Sequence, residues 1–243
     1  MSRHSWPVAA VAATVGLLVA ACGAAGGAKP GNSVGTGGAN PGSSASAKPN
    51  AGALSSEAVA TIRKARSVHV SGTGTQGSQQ VAVDVILTTS GGLAGKLTIG
   101  SHSVKLLITP RHTYIDMTRS IFTWQKIPLS ACAVMCGKWL AAPHSTLKSL
   151  AGDVGWKTLV AAWAGLLAHN LVAYGGRATI SGQPAVKLSV VGGAAYVAAH
   201  GPPYLLRIQA GPSQFTFSDW NTAALPPPLP ASKVVTQSQL TGG

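Results

Sequence analysis

The chain has 243 residues, enough for one domain with a sizeable core. Only 9% are charged, and 18 Lys and Arg against five acids give a formal charge of +13. The basic residues are scattered, with only Arg63-Lys64-Ala65-Arg66 clustered and no stacking aromatics beside them, which excludes nucleic acid as the expected partner and leaves either anionic lipid headgroups or a plain solvated surface.

An apolar run from Val8 to Ala21 follows Arg3 and closes on Leu18-Val19-Ala20-Ala21-Cys22. Small residues ahead of a cysteine, at the end of so short a run, predict a secretory signal over residues 1–21 cut before Cys22. The run is too short to span a bilayer comfortably. Leu-Val-Ala-Ala-Cys resembles the lipobox of bacterial lipoproteins. That resemblance implies a diacylglyceryl group on the Cys22 sulfur, which becomes the mature N-terminus on the extracytoplasmic face of the cell membrane. Two acyl chains make a stable anchor where one is marginal. Residues 22–53, almost wholly Gly, Ala, Ser, Pro and Asn after the cysteine, predict a flexible tether with an r.m.s. span of roughly 30 Å.

A domain is expected over 54–230. Ser55-Ser56-Glu57 offers a helix cap, Leu54, Val59 and Ile62 share a face, and Arg63, Lys64 and Arg66 suit the last turn. Strands follow. Residues 67–75 alternate through Val68 and Val70, and 79–89 alternate most clearly, with Val81, Val83, Val85 and Leu87 facing one way. The pattern continues through 93–99, where Leu97 and Ile99 fall, then through Val104, Leu106 and Ile108, and through 112–117. Gly91-Gly92 and Gly100-Ser101 read as turns, and such short connections imply an antiparallel meander.

Residues 128–170 lose the alternation. Trp156, Leu159, Val160, Trp163, Leu166 and Leu167 recur at helical spacing, while Trp139, Leu140, Leu147 and Leu150 suggest a second helical segment. Cys132 and Cys136 form one even pair. Outside the cytoplasm a disulfide is expected, at a loop or helix entrance, since no His or further Cys stands at metal-ligand spacing. Strand patterns return in 171–181, 183–191, 194–199, 204–210 and 214–220, with Leu188 and Val190, Leu206 and Ile208, and Phe215 and Phe217 as same-face pairs. The Pro-rich stretch 225–230 ends the domain, and 231–243 read as a polar tail.

This order predicts an α+β fold: a large curved antiparallel sheet, a half-open β-barrel, with helices covering its concave face. Its candidate apolar lining is the inward set Val81, Val83, Val85 and Leu87, with Leu97, Ile99, Leu106 and Ile108 from the same half. The second half adds Leu188, Val190, Leu206, Ile208, Phe215 and Phe217, and Trp163, Leu166 and Leu167 are expected to cover the face. Incomplete cover would leave a cavity suited to an acyl chain.

Two or three stretches also resemble a known group. The run Thr61-Ile-Arg-Lys-Ala-Arg-Ser-Val-His-Val-Ser-Gly72, with its "Ser-Val-His" strand, looks like the opening of the LppX/LprG group of actinobacterial lipoproteins. Pro203-Tyr-Leu-Leu-Arg207 and Phe215-Thr-Phe-Ser-Asp-Trp-Asn221 are similar to its late strands. The group looks like the LolA/LolB lipoprotein carriers, and the resemblance implies an acylated lipid or glycolipid held in an apolar cavity and moved within the envelope.

Catalysis is not expected. The five acids are far apart, the seven histidines show no metal spacing, and a histidine such as His69 or His112 reads as a surface residue. Gly175-Gly176 and Gly192-Gly193 read as turns or bulges rather than phosphate cradles. No cofactor or metal is implied. The alternative to a carrier is a non-enzymatic lipoprotein with a closed core, acting through a partner such as a membrane transporter or sensor.

Overall fold

The computed structural model describes residues 49–76, 78–124, 128–142, 155–168, 172–236 and 239. The signal, Cys22, the tether to residue 48, and Leu147 and Leu150 lie outside them.

Helix α1, Ala51–Lys64, begins earlier than the Ser55 cap that the sequence suggests. Asn50 takes the capping role, its side chain accepting the Ala53 N–H at 3.1 Å. Asn caps as well as Ser, and the alanines that follow favour helix, so the helix extends back into the expected tether. Ser55 is then buried within α1 and donates its hydroxyl to the Leu167 carbonyl.

Five strands form a meander: β1 Ser67–Gln76, β2 Gln79–Thr88, β3 Leu93–Ile99, β4 His102–Ile108 and β5 Thr113–Asp116. Helix α2, Arg119–Trp124, a 3-10 turn at Leu129–Ala131 and the single turn α3, Cys132–Met135, lead to β6, Trp139–Ala142. After α4, Trp156–Leu167, a second meander runs through β7 Ala173–Ile180, β8 Gln183–Val190, β9 Gly193–Ala198, β10 Leu205–Ala210 and β11 Ser213–Ser218. A final strand, β12, spans Val234–Thr236. All twelve belong to one sheet, ordered β12-β6-β5-β4-β3-β2-β1-β11-β10-β9-β8-β7, antiparallel throughout except for the β12–β6 pair. The α+β architecture with an open, largely antiparallel sheet is as expected.

Two elements depart from the sequence reading. Trp139 and Leu140 lie on a strand rather than a helix, because Leu140 pairs with Ile115 on one side and Val235 on the other. The polar tail is interrupted by β12, whose Val235 is buried in the core. Both changes have one cause. The segment after β11 crosses the first half of the sheet and supplies a parallel partner that local pattern does not reveal.

Cys136 caps α3 in an extended conformation, and its Sγ sits at bonding separation from that of Cys132, with Cα atoms 4.7 Å apart. In the unreduced protein neither thiol is expected to react with a maleimide, and both are expected to react after reduction. Modification of both without reductant would overturn the pairing.

Candidate functional site

The concave face is built from residues in register. One row runs Val235–Leu140–Ile115–Leu106–Gly95–Val85–Val70–Phe217 across eight strands, from β12 to β11. A second row runs Val104–Leu97–Val83–Gly72–Phe215–Ile208–Ala195–Leu188–Tyr174, ending on β7. Alternation along each strand sends the polar partners outward, so an apolar surface continues from one edge of the sheet to the other.

Helices α1 and α4 pack together over this face. Ala58, Val59 and Ile62 of α1 and Leu159, Val160, Trp163 and Leu167 of α4 join the same apolar cluster as the strands. Trp163 meets Phe217 edge-on at 4.8 Å and Trp220 at 6.4 Å, and Trp220 stacks on Tyr204 at 5.2 Å. The Trp220 indole N–H donates to the Leu205 carbonyl at 2.8 Å, as a half-buried tryptophan requires.

Most of the expected lining meets here. Val83, Val85, Leu87, Leu97, Leu106 and Ile108 are buried in the main cluster. So are Leu188, Val190, Ile208, Phe217, Trp163 and Leu167. Val81, Phe215 and Leu166 are half-buried against it, and Ile99 is buried opposite Val81. Leu206 is the correction. A register shift between Leu205 and Arg207 turns Leu205 inward, opposite Val197, and sends Leu206 to a separate small cluster with Ile180 and Ala185. A bulge breaks the period-two rule on which the Leu206–Ile208 pairing rested. Phe122 and Met135, from the block between β5 and β6, also belong to the interior but stand on elements too short to show periodicity.

The outer face brings a serine, a histidine and two carboxylates together. His69 Nε2 lies 2.6 Å from Asp84 Oδ1 and its Nδ1 3.2 Å from Ser218 Oγ, while the Ser218 hydroxyl donates to Asp219 at 2.9 Å. The Ser218 hydroxyl has two acceptors within reach, His69 Nδ1 and an Asp219 carboxylate oxygen, and its single proton serves one of them at a time. The adjoining backbone N–H groups serve the β2–β1–β11 pairing, and both carboxylates are largely exposed. The arrangement ties three strands together on an exposed face. Among the described residues no group of three or more His, Cys, Asp or Glu could hold a metal ion, and no helix is long and apolar enough to cross a membrane.

An open, largely antiparallel sheet, of twelve strands among the described residues, with helices covering its apolar concave face, defines the architecture. No protein-family model and no curated protein matches the sequence. Among solved structures, LprF from Mycobacterium bovis matches with a TM-score of 0.50 over 74% of this chain and 97% of its own, at 14% identity. The lipoprotein LppX from Mycobacterium tuberculosis matches with a TM-score of 0.46 over 73% of this chain and 98% of its own, at 17% identity. The likeness to LprF is one of fold.

Proposed function

We propose that this protein is a lipid-anchored envelope protein, held through Cys22 on the extracytoplasmic face of the membrane, that carries an acylated lipid or glycolipid against its concave face. The observation that carries the reading is the unbroken apolar surface from β12 to β7, covered by two helices, in a fold shared with LprF.

Burial of a methylene is worth about 0.8 kcal/mol, so an acyl chain of roughly sixteen carbons carries on the order of 10 kcal/mol relative to water. Relative to a bilayer the gain is near zero, because the membrane interior is equally apolar. Exchange between membrane and protein is then reversible, and polar contacts to the headgroup decide which lipid is taken. No catalytic step is part of this reading. A membrane transporter is a fitting delivery partner.

A second reading has an observation of its own. Most of the lining is already under 10% exposed with the chain alone, as in a closed core that acts through a protein partner. Native mass spectrometry of the protein, exported by its host and purified without detergent, separates the two. A co-purifying mass that organic extraction removes is expected, and it names the lipid class. A clean apo mass that takes up neither phospholipid nor glycolipid would replace the carrier with the closed core.

A further inference from the structure

The end of the sheet where α1 meets β1 carries exposed basic residues beside an aromatic pair at the margin of the core. Arg63 and Lys64 close the last turn of α1, and Arg66 precedes β1; all three are exposed. Among the described residues no carboxylate lies within ion-pair reach of any of them. Asp219, two residues before Asn221, is engaged with Ser218 and faces His69.

Asn221 joins this basic turn to an aromatic pair. Its side-chain oxygen accepts the Arg66 N–H at 2.7 Å, its own N–H donates to the Ser67 carbonyl at 2.9 Å, and its amide nitrogen donates to the Tyr204 hydroxyl at 2.5 Å. Tyr204 stacks on Trp220 with ring planes 11° apart. The hydroxyl of Tyr204 and the indole N–H of Trp220 are both turned to internal partners, and each residue remains partly exposed. The outcome is a shelf of aromatic ring beside three cations on one end of the molecule.

We infer that Arg63, Lys64 and Arg66, with the Tyr204–Trp220 shelf, form a docking face for the anionic headgroups of a bilayer. Cations attract the phosphates, and partly exposed aromatic rings add apolar contact at the level of the headgroups. Charge complementarity selects this occupant: the chain has five acids against 18 basic residues, and among the described residues no carboxylate pairs with this basic turn. The inference is independent of whether the interior holds a lipid.

The test uses the full exported protein on two kinds of vesicle, equal parts phosphatidylglycerol and phosphatidylcholine, or phosphatidylcholine alone, read by hydrogen exchange. Segments 61–66, 200–204 and 218–222 are expected to exchange about tenfold more slowly on the anionic vesicles only. The triple variant Arg63→Gln, Lys64→Gln, Arg66→Gln should shift the docking equilibrium about a hundredfold and erase the difference, with an unchanged unfolding midpoint. Molar salt, which shortens the screening length to about 3 Å, should do the same to the unmodified protein. Equal exchange on both vesicles, or slowing that survives the triple substitution, would overturn the inference.

Discussion

Trp163→Ala is expected to lower folding stability by about 4 kcal/mol, seen as a shifted urea midpoint with an unchanged slope. Trp163 is 3% exposed and stands where α4 meets the sheet. Truncation removes a large buried side chain and leaves space between two elements that relax only in part. It also removes the edge-on contacts with Phe217 and Trp220, each worth about 1 kcal/mol beyond burial. Leu159 and Leu167 still hold α4 on the sheet, so the loss falls short of complete unfolding. A shift worth less than about 1 kcal/mol would mean that α4 bears little on the sheet. In a carrier, the variant keeps its co-purifying lipid despite the lower midpoint, because the removed indole adds apolar space rather than polar surface.

The same cluster links interior to surface. Phe217 stacks on Trp220 with centroids 6.2 Å apart, and Trp220 stacks in turn on Tyr204. Packing under α4 therefore sets the pose of the rings on the proposed docking shelf.

The legible parts of this fold are those where one strand's own sequence decides its face. Val81, Val83, Val85 and Leu87 form an unbroken apolar period-two set, and β2 turns them toward the core. The stripe from Trp156 to Leu167 is equally plain, and α4 buries it. The parts that escaped depend on partners distant in sequence. Trp139 and Leu140 have no strand-like alternation around them and become β6 by lying between β5 and β12. Val234–Thr236 is too short to be read alone. Leu206 failed for a different reason: one extra residue in β10 inverts the face of everything on one side of it. The meeting of Ser218, His69 and Asp84 was likewise invisible, since it joins three strands whose pairing only the topology supplies.

Gly72→Val is expected to prevent folding, or to cost at least about 3 kcal/mol, although strand propensity alone gives the opposite sign. Valine is the better strand former by about 1 kcal/mol, so a stabilised variant would follow if β1 were an ordinary strand. It is not one. β1 is the seam between the two meanders, paired with β2 on one side and β11 on the other. At Gly72 the β11 backbone comes so close that an added Cβ would strike the Gln214 carbonyl and lie 2.7 Å from Phe215 Cα. Those are backbone atoms of a paired strand and cannot rotate away. Glycine is required there by this close approach of the β11 backbone. Gly74 is the control. A Cβ there meets side-chain atoms, Ser213 Oγ at 2.9 Å and Phe215 Cζ at 3.4 Å, which can shift. Gly74→Ala is therefore expected to cost less than about 1 kcal/mol. Urea midpoints and near-ultraviolet dichroism of the two variants read the contrast. A Gly72→Val protein that folds with the unmodified midpoint would mean that β1 and β11 do not approach this closely, and the single coiled sheet would have to be replaced by two sheets meeting at a looser seam.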